Sequence, residues 1–363
     1  MTSSPSSTDV ECLVERHALG RALSVEIFDV GHINSSFRVE LEAATGRRTI
    51  FVQRINSYVF PRPDWVMTNV TAVVDHLRGR PLGALELLRD ACGSAALLDE
   101  QGETWRAFSY VEHARLGRVP ERLEHIREAS FAFGAFHQGV ADLDTDGLEE
   151  TIAHFHDTPH RFETLDRAVE RNLANRIEGC RRELDQALAA RPMAATITET
   201  LGSPEMPRRC VHNDAKFSNV LLSPDQHRAL CVVDLDTVMP GSVLFDLGHM
   251  VRSMSHTFDE DVTDRELRVD PQRFAAILEG YFEAAPELLT PVEQSKIVVG
   301  TQVMVLQEAI RFLADHLDGD LYFKARRENQ NLDRCRMHLA LLRALTEQRE
   351  QLEEIVSAAS GAG

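Results

Sequence analysis

The pattern of apolar and polar positions changes character about a third of the way along the chain. Up to residue 111 it favours short strands separated by turns, at residues 24–30, 36–41, 49–55, 95–99 and 104–111. One helix is predicted among these strands, because apolar residues recur there at helical spacing after two prolines. They are Val66, Val70, Val73, Val74 and Leu77.

Beyond residue 118 the spacing of apolar residues becomes helical. It predicts helices at residues 123–143, 161–188, 270–284, 291–317 and 331–354. A short stretch at residues 209–238 is β-like instead. A sheet-rich first part and a larger helical second part therefore share the chain, which has 363 residues and is long enough for two hydrophobic cores.

Composition and charge narrow the class of protein. The net charge is −18, which argues against nucleic-acid binding because that needs clustered lysines and arginines. No apolar run approaches the ~20 residues of a membrane-spanning helix, and the N-terminus lacks the features of a secretory signal. The six cysteines form no C-x-x-C pair, which favours reduced thiols. We expect a cytoplasmic monomer or homodimer with no nucleic-acid or membrane partner.

One short segment carries most of the chemical information. Residues 212–219 follow the pattern H-x-D-x-x-x-x-N, and Asp234 comes fifteen residues later, at the end of an apolar run. A carboxylate at Asp214 can accept the proton of an acceptor hydroxyl, which is the role of a general base in phosphoryl transfer. The amide oxygen of Asn219 and the carboxylate of Asp234 are ligands that Mg²⁺ prefers. We therefore expect a kinase that uses ATP and Mg²⁺.

Four residues near these three have possible supporting roles. Lys216 can neutralise charge on the transferred phosphoryl group, so we count it with the catalytic residues. Asp236 lies two residues beyond Asp234 and is either a second metal ligand or a solvent-exposed carboxylate. His212 and Asp246 are expected to brace the loop rather than to react.

The candidate nucleotide-binding residues lie in the first part of the chain and follow weaker patterns. Residues 31–36 join two predicted strands, so their backbone N–H groups can cover phosphates, although the loop holds one glycine rather than three. The next strand offers an arginine, and no lysine, for the phosphates. The segment before the helical part stands where an adenine-binding hinge belongs. The candidates are Gly31, His32, Asn34, Ser35, Arg54, Tyr110 and Glu112.

Together these patterns predict an α+β fold of the bilobal protein-kinase-like type. A small sheet-rich N-terminal lobe would bind the nucleotide, and a larger helical C-terminal lobe would carry the catalytic loop and the acceptor site, with the cleft between them. The expected boundaries are a partly disordered leader at 1–20, the N-terminal lobe at 21–112, the helical lobe at 113–356 and a flexible tail at 357–363.

The same motifs resemble the aminoglycoside phosphotransferase and choline kinase superfamily, in which H-x-D-x-x-x-x-N is followed by an aspartate ending a strand. Within that superfamily the chain is similar to the N-acetylhexosamine 1-kinase branch, from about residue 30 to residue 332. The matching stretches are residues 31–34, 52–56, 105–106, 155–159, 212–214, 233–241 and 310–323.

The narrower resemblance implies ATP- and Mg²⁺-dependent phosphorylation of the anomeric hydroxyl of N-acetylglucosamine or N-acetylgalactosamine, with Asp214 as the base. It also implies that Arg311 and Tyr322, eleven residues apart, help Asp214 to bind the sugar. The chain departs from the branch at His249, where an acidic residue is expected, and in detail at residues 217–218. Both departures are expected near the acceptor.

Two alternatives remain open at the level of the sequence. The first is a kinase of another hydroxyl acceptor, such as an aminoglycoside, a choline-like amine, homoserine or another sugar. An arginine at position 311 disfavours a cationic acceptor, because like charges repel. The second is a binding protein on a kinase fold without catalytic activity. Intact Asp214, Asn219 and Asp234 speak against it.

Overall fold

The chain folds into an antiparallel sheet followed by a larger helical region, so the predicted α+β, kinase-like fold class is confirmed. The structure is a computed structural model, and it describes residues 5–28, 33–44, 46–80, 82, 85–116, 119–225, 227–256 and 267–361.

The N-terminal sheet has five antiparallel strands in the order β1-β2-β3-β5-β4. Its register places Gln53 opposite both Ser36 and Arg106, so these three side chains share one face of the sheet. The opposite face of the sheet is apolar and forms part of a small hydrophobic core that is separate from the core of the helical region. The strands are β1 (Arg21–Ile27), β2 (Ser35–Ala43), β3 (Gly46–Arg54), β4 (Leu97–Leu98) and β5 (Thr104–Ser109).

Within residues 1–20, predicted to be a partly disordered leader, the structure has a helix. Helix α1 (Ser7–Arg16) begins with a capping box, in which Ser6 and Asp9 bond each other's backbone N–H groups. Its buried residues recur at i, i+3 and i+4, which seals one apolar face of the sheet against solvent. They are Val10, Leu13 and Val14.

Helix α2 (Pro63–Leu77) follows the sheet in sequence but packs with the helical region. The buried stripe of α2 belongs to the large helical core, and Leu77 lies against Gly139 so closely that a Cβ there would clash. Asn69, at the middle of α2, donates to the backbone carbonyls of Glu149 (2.7 Å) and Val238 (2.8 Å). These bonds anchor α2 to the helical region.

The helical region contains nine further helices in the described ranges, and three short antiparallel ladders hold its loops. The helices are α3 (Leu123–Gly139), α4 (Thr158–Arg171), α5 (Ile177–Ala189), α6 (Val243–Met254), α7 (Pro271–Ala284), α8 (Pro291–Ser295), α9 (Ile297–Asp318), α10 (Gln330–Glu347) and α11 (Arg349–Ala359). The strands are β6 (Arg115–Leu116), β7 (Arg209–Val211), β8 (Val220–Leu222), β9 (Ala229–Val232) and β10 (Met239–Gly241).

Several predicted helices are interrupted where a side chain bonds the backbone. The helix expected at 161–188 ends at Asn172, which adopts a left-handed conformation and accepts a hydrogen bond from the N–H of Arg176. The helix expected at 331–354 breaks at Gln348, whose amide bonds both the N–H and the carbonyl of Val269. Helix α11 continues to Ala359, into the segment expected to be a flexible tail.

Helix α9 is the central helix of this region. It is long and apolar enough to cross a membrane by length and composition, but 89% of its most apolar window is buried inside the protein. It packs against α4, α6 and α10, so its apolar sequence is that of a core helix.

Candidate active site

The catalytic loop connects β7 to β8 and is braced from beneath by buried polar groups. Asn213 has a left-handed backbone (φ 64°), which turns the chain sharply just before Asp214. The backbone N–H of His212 donates to Asp246 on α6 (2.7 Å), and His137 on α3 donates to the same carboxylate oxygen (2.7 Å). The ring of His212 donates through Nε2 to the carbonyl of Val233 (2.9 Å). The sequence predicted this bracing role for His212 and Asp246.

Asp214 is surrounded by the other polar groups of the loop. Lys216 donates to Oδ2 of Asp214 (2.7 Å), and Nδ2 of Asn219 donates to the same atom (3.1 Å) and to the backbone carbonyl of Asp214 (2.9 Å). Burial raises the pKa of Asp214, but the Lys216 ammonium outweighs it and brings the pKa down to about 2. Asp214 is therefore an ionised carboxylate, as a hydrogen-bond acceptor for a substrate hydroxyl has to be.

Asp234 lies beside the loop and carries a carboxylate suited to a cation. The N–H of Val233 donates to the carbonyl of Asn219 (2.9 Å), which ties the two segments together. Asp234 has a left-handed backbone (φ 64°) and remains accessible to solvent. Burial of the site and the neighbouring Asp236 carboxylate raise its pKa to about 6. A divalent cation would relieve this repulsion.

The donor set fits Mg²⁺ better than a transition metal. Asn219 engages its amide nitrogen in the bonds to Asp214, which keeps its carbonyl oxygen out of them. That oxygen and the Asp234 carboxylate are hard ligands, and Mg²⁺ is usually held by one or two such groups together with substrate phosphates and water. Within the described ranges no three His, Cys, Asp or Glu side chains form a metal-binding group.

Asp236 is placed differently from Asp234, and both of its carboxylate oxygens face protein partners. It is 3% exposed, pairs with the buried guanidinium of Arg106 on β5, and accepts a hydrogen bond from Asn34 (2.6 Å). Gln53 on β3 accepts from Arg106 at 3.1 and 2.9 Å, which fixes the guanidinium. This contact joins the sheet to the metal-binding loop.

The prediction that Arg54 faces the phosphates is corrected by the side to which it points. Arg54 stacks on the ring of Trp105 and interacts electrostatically with Asp9 of α1, so it lies on the face of the sheet that packs α1. Successive side chains on a strand point to opposite faces, so the neighbouring Gln53 faces the catalytic loop instead. Among the described residues of the sheet, Arg106 directs its guanidinium to this loop.

The remaining nucleotide candidates occupy the sheet and its exit. Asn34 accepts from the N–H of Asn56 (3.0 Å) while it donates to Asp236, and Ser35 begins β2. Tyr110 and Glu112 follow β5 before the helical region, with the Arg38 guanidinium over the Tyr110 ring. Gly31 and His32 lie outside the described residues. The nucleotide-binding role of all these residues stays a prediction.

The candidate acceptor residues come from α9 and the segment after it. Arg311 donates to Glu308 (2.6 Å), and its guanidinium lies over the rings of Phe155 and Phe323. Tyr322 is 56% exposed. The segment that carries it is anchored by Asp315, whose carboxylate accepts hydrogen bonds from the backbone N–H groups of residues 322 and 323.

Electrostatic interactions link these residues to the catalytic loop. Glu308 interacts with Arg311, Arg252 and His249, and His249 in turn interacts with Asp214. Arg161 on α4 interacts with Arg311, Glu308 and Tyr322, and burial, followed by the positive charge of Arg311, lowers its pKa to about 10. The acceptor side of the site is therefore rich in arginine.

Residues 217 and 218 are the loop positions at which the chain departs in detail from the sugar-kinase branch. At the first of them the side chain is buried in the protein. Phe217 is 3% exposed, and its ring stacks on His125 of α3 at a centroid distance of 6.5 Å. It belongs to the helical core, and its expected proximity to the acceptor stays a prediction. Three participants escaped the sequence analysis: Arg106, Glu308 and His156. Arg106 and His156 lie in the matching stretches 105–106 and 155–159, but their partners Asp236 and Asn213 are far away in the sequence, so their roles were not apparent.

His156 holds the catalytic loop in a way that depends on its protonation state. Its Nε2–H donates to the carbonyl of Asn213 (2.9 Å), and its Nδ1 accepts from the amide of Gln307 on α9 (2.9 Å). These two partners require the neutral ring. Burial lowers the pKa of His156 to about 4.

We expect His156 to make folding stability depend on pH. The unfolded chain binds the proton more readily, so the contribution is complete above the ordinary pKa of 6.5 and is lost as the pH falls from 6.5 to 4. The loss over this window is roughly 3 kcal/mol. Urea unfolding across the window should show that His156→Gln loses less stability on acidification than the wild type does. Equal losses in the two proteins would contradict the assignment.

The fold and a comparison with family models identify the class of protein. A family model described as "Phosphotransferase enzyme family" (APH, aminoglycoside phosphotransferase) matches residues 24–286. The chain belongs to this family and is a small-molecule phosphotransferase, as the superfamily resemblance predicted. The comparisons do not reach the N-acetylhexosamine 1-kinase branch, which stays a prediction.

Solved structures with the same fold cover nearly the whole chain. A spectinomycin phosphotransferase in complex with ADP and spectinomycin matches with a TM-score of 0.62 at 10% identity, over 98% of this chain and 99% of that one. A microcompartment-associated aminopropanol kinase matches with a TM-score of 0.57 at 12% identity, over 96% and 99%. An aminoglycoside phosphotransferase from Alicyclobacillus acidocaldarius matches with 0.56 at 14%, over 92% and 94%. At these identities the likeness concerns the fold.

Proposed function

We propose that the protein is an ATP- and Mg²⁺-dependent kinase that phosphorylates the anomeric hydroxyl of an N-acetylhexosamine to give the sugar 1-phosphate. The observation that carries the proposal is the cluster of Asp214, Lys216, Asn219 and Asp234, tied together by bonds of 2.7–3.1 Å within one loop and its neighbour. The solved relatives described as binding ADP and AMP support a nucleotide as the donor.

In this proposal each residue of the cluster has one task. Asp214 orients the acceptor hydroxyl and takes its proton as the oxygen attacks the γ-phosphorus in line, with no covalent enzyme intermediate. Lys216 holds Asp214 in place and offsets charge on the transferred group. Asn219 and Asp234 would hold Mg²⁺, which supplies charge neutralisation at the phosphates of the bound ATP. Asp236 positions this segment through Arg106.

The acceptor side supports a neutral acceptor over a cationic one. The carboxylate of Glu308 already forms a salt bridge with the guanidinium of Arg311, and Asp214 already forms one with the ammonium of Lys216. Arg161 adds a further cation close to Arg311. An ammonium group entering this site would meet cations first, whereas a sugar would meet hydrogen-bond donors. Arg311 and Tyr322 are the residues that we propose bind the sugar.

A second candidate is the same kinase acting on an amino alcohol or aminoglycoside. The net charge of −18 favours it, because an acidic surface attracts cationic substrates, and relatives of the same fold are described as aminopropanol and spectinomycin kinases. We rank this candidate second because Glu308 and Asp214 are already paired with cations of the protein.

An acceptor panel separates the two candidates. N-acetylglucosamine, N-acetylgalactosamine, glucose, spectinomycin, choline and 1-amino-2-propanol are each supplied with ATP and Mg²⁺, and ADP release is measured. We expect the highest kcat/KM for an N-acetylhexosamine, a sugar 1-phosphate by phosphorus NMR, and no turnover when the divalent cation is chelated by EDTA. A preference for choline, spectinomycin or the amino alcohol would contradict the sugar assignment, and turnover in EDTA would contradict the metal.

A further inference from the structure

His249 is a buried polar side chain that makes no hydrogen bond to any residue in the part of the chain that the structure describes. It lies on α6, is 4% exposed, and neither of its ring nitrogens has a hydrogen-bond partner among the described residues. A buried donor or acceptor without a partner destabilises the folded state. On the same helix, one turn earlier, Asp246 accepts bonds from both His212 and His137. A group of this kind, left without a protein partner close to an active site, requires an explanation.

The position of His249 places it at the acceptor side of the catalytic loop. It interacts electrostatically with Asp214, with Glu308 on α9 and with Arg252 on its own helix. Its ring lies 5.3 Å from that of His156, which holds the backbone of the loop at Asn213. His249 is therefore packed against the ring that holds the catalytic loop, and its charged surroundings include Asp214 and Glu308.

The protonation state of His249 suits a neutral partner. Burial, and then the positive charge of Arg252, lowers its pKa to about 3, so the ring is neutral at physiological pH. A neutral imidazole offers one N–H donor and one nitrogen acceptor, and a hydroxyl or amide group of a sugar can match both. An ammonium group can match only the acceptor nitrogen.

We propose that His249 binds a hydroxyl or acetamido group of a neutral, polyhydroxylated acceptor, next to the hydroxyl that is phosphorylated, and thereby selects such acceptors over cationic ones. This inference rests on the proposed function and names one of its specificity determinants.

The test compares three variants at α6 in the full-length protein. His249→Phe keeps an aromatic ring and removes both hydrogen-bonding groups, His249→Gln keeps one donor and one acceptor, and the neighbouring core substitution Met250→Leu is the control. With N-acetylglucosamine, His249→Phe should raise the acceptor KM roughly ten- to thirtyfold. kcat and the KM for ATP should stay within about twofold, because the lost interaction stabilises the bound acceptor and the transition state equally. His249→Gln should recover part of the affinity, and Met250→Leu should change neither constant.

Thermal unfolding separates a binding role from a structural one. Because the ring nitrogens have no hydrogen-bond partner among the described residues, His249→Phe should leave the Tm of the ligand-free protein equal or higher, and the rise of Tm on adding N-acetylglucosamine should disappear. A lower ligand-free Tm with an unchanged acceptor-induced rise would show that His249 is a structural residue and overturn the proposal. So would an acceptor KM unchanged by His249→Phe.

The same measurements keep the inference distinct from the proposed function. If the wild type prefers another neutral polyol, the N-acetylhexosamine assignment fails, and His249 is then judged by the KM ratio for that polyol. If the wild type prefers choline, spectinomycin or 1-amino-2-propanol, both fail. If it prefers an N-acetylhexosamine and His249→Phe has the wild-type KM, only the role of His249 fails.

Discussion

Replacing Asp214 by asparagine is expected to lower kcat by a factor of ~10²–10⁴, because the variant can still orient the acceptor hydroxyl but cannot accept its proton. The substitution keeps the shape of the side chain and removes the charge that Lys216 and Asn219 surround. Steady-state ADP release at saturating ATP and acceptor measures the effect.

Two further measurements show whether the loss is chemical. The matched control is Asp225→Asn, an exposed carboxylate in the turn between β8 and β9, which should retain wild-type kcat. Calorimetric titration of ATP with Mg²⁺ should give similar affinities for the wild type and Asp214→Asn, because Asp214 faces the acceptor in the proposed mechanism. A kcat within a few-fold of the wild-type value would rule Asp214 out as the base.

Removing the guanidinium of Arg106 is expected to destabilise the protein by about 3–5 kcal/mol, since Arg106→Met leaves the carboxylate of Asp236 buried without its counter-charge. The two side chains are 1% and 4% exposed, and Gln53 and Asn34 complete the network. Urea unfolding of the wild type and the variant measures the difference in free energy.

The double variant Arg106→Met/Asp236→Asn separates stability from function. Asparagine removes the buried charge and can still accept from Asn34, so most of the lost stability should return. Activity should not return, because the Arg106–Asp236 contact joins the sheet to the segment that carries Asp234. A double variant as unstable as Arg106→Met, or one with wild-type kcat, would refute this account of the pair.

The parts of the site that lie close together in sequence could be predicted from it. The spacing of His212, Asp214 and Asn219 reflects the reach of one loop, and the structure does bring these side chains together. Asp234 is also beside them, since a single hairpin separates it from the loop. The hydrophobic pattern likewise predicted the five-stranded sheet and most helices, because their periods of two and 3.6 residues are local properties.

The errors arose where a contact joins distant segments. Arg54 and Gln53 are neighbours in β3, and the choice between them depends on which face of the sheet meets the catalytic loop, more than 150 residues later. A strand pattern alone does not specify this face when both faces are covered. The buried partner of Asp236 is on β5, so its role as a structural ion pair could not be told from that of a metal ligand.

Helix α1 was missed for a different reason. The composition of the N-terminal segment is typical of a disordered leader. The segment nevertheless contains a local signal for a helix, the Ser6 and Asp9 pair of a capping box followed by apolar residues at helical spacing. The helix is stable because the sheet offers an apolar face to cover, and that face is itself assembled from several strands.

Because of the way α2 packs, the cooperative unfolding units of the molecule do not follow the order of the sequence. Its apolar stripe lies in the core of the helical region, while the sheet and α1 share a separate core. Amide protons in the middle of α2 should therefore exchange with solvent at rates close to those of α3, as members of one unfolding unit. The sheet on either side of α2 in the chain forms the other unit.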